Sequence, residues 1–274
     1  MKHLYSFILA SSLALSCNAQ KHQLIKLWET DTLAVPESVL PSLKDKILYT
    51  SLINGNATAV DGNGRIAKIG TNGKIIDSVW VKGLNGPKGL GRFQNKLYAA
   101  DLTEVAVIDI ANRKIINKIP AEGSVFLNDI TVDTKGIVYV SETRKAKIYR
   151  IINNKAEVWL ENIENANGLK AVGTDLYILS GTKLVKANAK KELTTIAEGF
   201  AKPGDGVELL KNGDFIVSCW NGLIYYVFKD GRTELLLDTQ AQKINTADFG
   251  IDVEKNIIYV PTFNKKSIIA FQLK

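Results

Sequence analysis

Between Val125 and Thr143 the chain reads VFLNDITVDTKGIVYVSET, and its apolar positions fall on every second residue. Ile130 and Val132, then Ile137 and Tyr139, alternate with polar neighbours, the pattern of half-buried strands rather than of a helix. The spacing predicts one strand over Asp129–Asp133, a turn at Thr134-Lys135-Gly136 and a second strand over Ile137–Ser141, with the polar pair Asn128-Asp129 at the entrance. Five other segments repeat the second strand: KILYTSL around Tyr49, KLYAADL around Tyr98, DLYILSG around Tyr177, DFIVSCW around Ile216 and IIYVPTF around Tyr259. With Tyr139 these markers recur about every 40 residues, the period of a β-propeller with one four-stranded blade per repeat. No stretch after Gln20 sustains a 3.6-residue period, so helical repeats of similar length are excluded.

Each marker is followed by more strand-like sequence. Third strands are predicted at Ala57–Val60 with Arg65–Ile69, Val105–Ile110, Ile148–Ile152, Lys183–Ala187, Leu223–Phe228 and Ser267–Phe271. Outer strands follow in the first five repeats, beginning with IIDSVWV at Ile75–Val81. The sixth repeat stops at Lys274 without one, and QLIKLWE (Gln23–Glu29) ahead of the first repeat is free to take that place. Such closure joins the ends of the ring and hides an open sheet edge. The expected fold is all-β: a six-bladed propeller of four antiparallel strands per blade, one domain over residues 20–274. Trp80 and Trp159 fall at matching places in outer strands and are expected to pack between blades.

Composition changes this picture little. The 274 residues carry a net charge of +7, but Lys is spread over turns and strand ends rather than gathered on one face, which argues against a nucleic-acid partner. Residues 1–19 read as an export signal, with Lys2 and His3 before an apolar run (Leu4–Leu15) too short to span a bilayer. Two processing routes fit: cleavage before Gln20, or lipidation at Cys17 within Ala14-Leu15-Ser16-Cys17. Both take the protein out of the cytoplasm, to the periplasm, the outer membrane as a lipoprotein, or the medium. Cys219 is then left without a disulfide partner and is expected to be a buried thiol. No long apolar run follows Gln20, so no transmembrane segment is expected. The expected partner is a small molecule, and the chain is read as a monomer.

The first strand of each repeat begins with a short polar or turn sequence. Inner strands of a propeller line one axial channel, so these starts predict a ring at its mouth: Glu37, Lys88, Asn128, Asn167, Asp205 and Asp248. Three carboxylates and two amides meeting there would repel unless a cation were present. The set offers oxygen and neither imidazole nor thiolate, which suits Ca²⁺ first, then Mg²⁺ or Mn²⁺, with Zn²⁺ the poorest fit. Asn-Gly and Asp-Gly are also common turn pairs, so Asn167-Gly168 and Asp205-Gly206 have a plain structural reading beside the ligand one. Lys88 could pair with Asp248 or grip an anionic substrate. Trp220, at the end of a second strand, could pack or line a pocket.

At PESVLP with ILYTS, FLNDITVDTKG, ANGL and GDGVELLKNGDFIVSCWNG the chain resembles the senescence marker protein/gluconolactonase/luciferin-regenerating enzyme family, over essentially everything after Leu33. The resemblance implies a six-bladed propeller with one divalent cation held by Glu37, Asn167 and Asp205. It further implies that Asn128 contacts the metal site or the substrate. Two departures stand out. Phe126 occupies a position where lactonases of the family often carry Arg, and a loop after the third repeat's second strand is short. The expected activity is metal-dependent hydrolysis of a lactone or related ester, with Asp205 and Asn128 catalytic and Lys88, Asn128, Asp129, Trp220 and Asp248 facing the substrate. The alternative is a non-enzymatic binding module with a structural cation. His3 and His22 are the only histidines, and both precede the repeats, so a histidine base is not expected in the channel.

Overall fold

The computed structural model describes residues 22–274; residues 1–19, assigned above to an export signal, lie outside that range. The strands form six antiparallel sheets of four, each built from consecutive strands except the last. In the last sheet Leu24–Glu29 pairs with Ile268–Leu273, placing Leu24 opposite Leu273. The closure predicted from QLIKLWE is therefore what the chain does. A second seam joins the ends at the axis. There Ser38 and Asp248 form a parallel bridge, in which Val39 N–H donates to the Asp248 carbonyl and Asp248 N–H to the Glu37 carbonyl.

The middle strands of the blades are apolar on both faces because each is covered by the blades on either side. Phe215–Cys219 and Leu223–Val227, for example, are buried at every position. The outer strands are mostly exposed, as in Lys114–Pro120, where only Ile119 is buried and Ile115 half-buried, because they lie on the rim of the ring. The core is thus six clusters, one between each pair of adjacent blades. One joins Tyr98, Val105 and Val107 to Leu127, Ile130 and Tyr149; another joins Leu33, Leu48 and Leu52 to Tyr259 and Ile268 across the closure. Trp80 lies 5.0 Å from Tyr49 and Trp159 5.0 Å from Tyr139, ring centroid to centroid. Trp28, in the closing strand, does the same against Tyr259 at 5.8 Å.

One predicted strand is absent. Residues 57–60 form no strand; the third strand of the first blade is Gly64–Gly70 alone. The segment before it is held in turns, with Asn56 Oδ1 accepting from Thr58 N–H at 2.9 Å and Asp61 Oδ1 from Asn63 N–H at 3.0 Å. Such side-chain bonds to nearby backbone compete with a sheet ladder. Innermost strands run away from one end of the ring and second strands return to it. The starts of the first and the ends of the second therefore share the channel mouth.

Candidate metal centre at the channel mouth

A repeated irregularity in pairing builds the site. In the first blade Pro36 faces Leu52 and Val39 faces Thr50, leaving Glu37 and Ser38 in a bulge. The same bulge isolates Lys88-Gly89, Asn128-Asp129 and Asn167-Gly168 in the next three blades. In the fifth, Val207 faces Val217, which puts Asp205-Gly206 in the corresponding place. A bulge frees a residue from the ladder and re-aims its side chain. The first member of each pair forms an upper tier at the mouth; the second forms a lower tier one step inward.

Asp248 departs from the predicted ring. Gly250 faces Tyr259 in the sixth blade, so the pair there is Ala247-Asp248 and Asp248 is its second member. It belongs to the lower tier with Ser38 and Asp129, and the upper position is Ala247. Aligning Asp248-Phe249 with Ser38-Val39 instead of Glu37-Ser38 would have found this.

The upper tier contains Glu37, Lys88, Asn128, Asn167 and Asp205. Asn167 Nδ2 donates to Asp205 Oδ1 at 2.6 Å. The remaining oxygens of this pair, Asn167 Oδ1 and Asp205 Oδ2, have no hydrogen-bond partner, and neither does Glu37 Oε2. All three are buried. Six buried side-chain polar atoms lack partners among the described residues, and these three are one from each ligand the family resemblance implies. Burial pushes the Asp205 carboxyl up to about 7, against the lowering effect of its Asn167 bond. Glu37 is held well above the usual carboxylate range, first by burial and then by the charges of Asp205 and Asp248. Burial lowers Lys88, while Glu37 and Asp101 pull it back up. Lys88 Nζ donates to the carbonyls of Gly86 at 2.9 Å and Ala57 at 3.3 Å. It does not pair with Asp248.

In the lower tier, among the described residues, no carboxylate oxygen is left buried without a partner. Asp129 Oδ1 accepts from Ile130 N–H and Oδ2 from Leu169 N–H, both at 2.6 Å. Asp129 thereby ties the third blade to the fourth. Asp248 Oδ2 accepts from the Ser38 hydroxyl across the closure. Burial, the largest cause for both, raises the two carboxyls well above their ordinary values; the Asp248 charge adds to this at Asp129, and the Asp205 charge at Asp248. Glycine is required beside them. A Cβ on Gly89 would lie 2.5 Å from Asp129 Cα, and one on Gly168 would lie 2.5 Å from the Asp205 carbonyl oxygen. Further inward is a cavity of about 170 Å³ bordered by Ser38, Asp129, Asp248 and the Lys170–Glu208 ion pair.

Residues outside the predicted set hold the rim. Asn128 Nδ2 donates to Thr143 Oγ1 at 3.1 Å, and that hydroxyl donates to the Ala166 carbonyl at 2.7 Å. Glu142, fully buried, accepts from the backbone N–H groups of Val125, Phe126 and Lys145. Trp220 is 38% exposed and meets Phe263 edge-on at 5.4 Å. It lies on the rim rather than in the core. Cys219 beneath it is buried and donates to the Lys202 carbonyl, and its thiol is pushed up to about 12 by burial and the Asp205 charge.

No protein-family profile and no curated protein matches the chain, but solved structures do. A gluconolactonase from Xanthomonas campestris superposes with a TM-score of 0.68 at 13% identity, covering 89% of this chain and 88% of that one. A streptogramin B lyase gives 0.67 at 12% identity, over 92% and 97%. A catalytically inactive His-to-Ala variant of virginiamycin B lyase from Staphylococcus aureus, with quinupristin, gives 0.64 at 15% identity, over 92% and 99%. The likeness is one of fold. A gluconolactonase-like propeller is what the motifs predict.

Proposed function

We propose that this protein is a hydrolase of a lactone or related ester that uses one divalent cation held by Glu37, Asn167 and Asp205. The observation that carries this reading is the set of three buried, unpartnered oxygens, Glu37 Oε2, Asn167 Oδ1 and Asp205 Oδ2. Leaving a buried acceptor without a partner costs on the order of 1–3 kcal/mol per group, a cost that these residues would shed by holding an oxygen-seeking ion. Two carboxylates and a neutral amide suit Ca²⁺ best among common divalent ions. When bound, the cation supplies a Lewis acid that polarises the substrate carbonyl.

The chain supplies the rest. Asp205 takes the proton from the attacking water, with Asn167 fixing its carboxylate through the 2.6 Å bond. Asn128, steadied by Thr143, orients that water. The lyase reading has less support. The catalytically inactive lyase variant lacks a histidine, whereas the one histidine among the described residues, His22, pairs with Glu234 at 2.8 Å and stacks on Tyr226 of the fifth blade. Phe126, in place of an arginine common in the resembling family, favours the second reading of a binding module with a structural cation. The first 19 residues support export, as a lipoprotein through Cys17 or as a soluble protein.

A panel of lactones and aryl esters, assayed with calcium and then with excess chelator, tests the proposal. Turnover that chelator abolishes and calcium restores is expected. Calcium binding without turnover of any panel member would leave the binding module.

A further inference from the structure

The rim of the third blade holds an arginine with no described role in the fold. Arg144 is exposed, and its guanidinium carbon sits 4.3 Å from the ring centroid of Phe126. Lys88 Nζ sits at the same 4.3 Å from that ring, so the two cations lie within about 9 Å of each other. The two cations repel; Glu37 and Asp101 offset this at Lys88, but no carboxylate forms an ion pair with Arg144 among the described residues. Its backbone is nonetheless fixed. Thr143, just before it, bonds both Asn128 and the Ala166 carbonyl. Lys145, just after it, donates its N–H to Glu142, whose other oxygen also holds the Phe126 N–H. One buried carboxylate thus positions both the arginine and the ring on which it stacks. Stacking on an aromatic face leaves the planar edge of a guanidinium, with its forked donors, free to face a ligand.

We infer that Arg144 anchors a carboxylate on the substrate, so that the reacting ester or lactone belongs to an acidic molecule. This rests on the hydrolase reading for the word substrate, but the anchor itself does not require turnover. Lys88, buried below the ring, adds positive potential without needing to touch the ligand. The short loop after Glu142 is what brings Arg144 to the mouth next to Asn128.

Calorimetric titration of the calcium-loaded protein with glutarate, a linear dicarboxylate, tests the anchor directly. Wild type is expected to bind it, and Arg144→Gln to bind about tenfold or more weakly, the scale of losing a charge-assisted contact. Arg144→Lys should recover part of the affinity, since it restores charge without the fork. Wild-type affinity in Arg144→Gln, or no glutarate binding by wild type, would overturn the inference. Kinetics separate it from the hydrolase reading. Neutral lactones turned over equally well by wild type and Arg144→Gln, with no preference for carboxylated ones, would remove the anchor and keep the hydrolase. Arg144-dependent glutarate binding without turnover would keep the anchor and remove the hydrolase.

Discussion

Asp205 and Asp129 occupy successive tiers of the same channel, both buried, and their carboxylates meet opposite surroundings. Asp129 has a backbone N–H on each oxygen. Asp205 has Asn167 on one and nothing on the other. The same split separates Asp248, bonded to Ser38, from Glu37, which has an oxygen left over. Burial alone therefore does not mark a ligand in this protein. A satisfied buried carboxylate stitches blades together, and an unsatisfied one is where the proposed cation would bind.

The comparison breaks most visibly under substitution. Asp129→Ala would strip the partners from two buried N–H groups. The expected loss is on the order of 3 kcal/mol, read as a lower denaturant midpoint, with calcium affinity retained in whatever fraction folds. Asp129→Asn keeps an acceptor for one of the two and should lie between. Glu37→Gln should do the reverse, leaving the calcium-free protein at least as stable as wild type while removing calcium binding. Equal destabilisation by both Ala and Gln variants would erase the distinction between tiers.

A smaller effect sharpens it by pH. The Asp205 carboxyl is raised in the folded chain from 3.8 to about 7, so its contribution favours the fold below the unfolded value and is lost as pH rises through about 7. Glu37 shifts in the same direction. In chelator, the thermal midpoint should fall between pH 5 and pH 8, and millimolar calcium should remove that fall by binding the ionised form. A midpoint with the same pH dependence in calcium and in chelator would contradict the assignment.

Much of this was legible in the residues, for identifiable reasons. The six apolar markers, recurring about every 40 residues, gave the blades, because middle strands covered on both sides must be apolar. The missing outer strand of the sixth repeat pointed to Gln23–Glu29. That Glu37, Asn167 and Asp205 share a tier was legible from their common repeat position; singling them out from the ring came from the family resemblance. Asp248 was misplaced by one residue, since Ala247-Asp248-Phe249 offers no glycine to fix its register and Gly250 falls later than in the other blades. Residues 57–60 read as strand from composition, and only the Asn56 and Asp61 turns decide otherwise. Glu142, Thr143 and Arg144 carry no repeat signal. Their roles come from contacts across the third blade's rim, which spacing along the chain does not encode.

Calcium titration by calorimetry, run on wild type, Glu37→Gln and Asp248→Asn, addresses the central claim most directly. The account predicts one site in wild type, its loss in Glu37→Gln, and its retention in Asp248→Asn with affinity lowered only a few-fold, on the order expected for removing a nearby charge that is not a ligand. No calcium binding by wild type, or binding that survives in Glu37→Gln and disappears in Asp248→Asn, would contradict it.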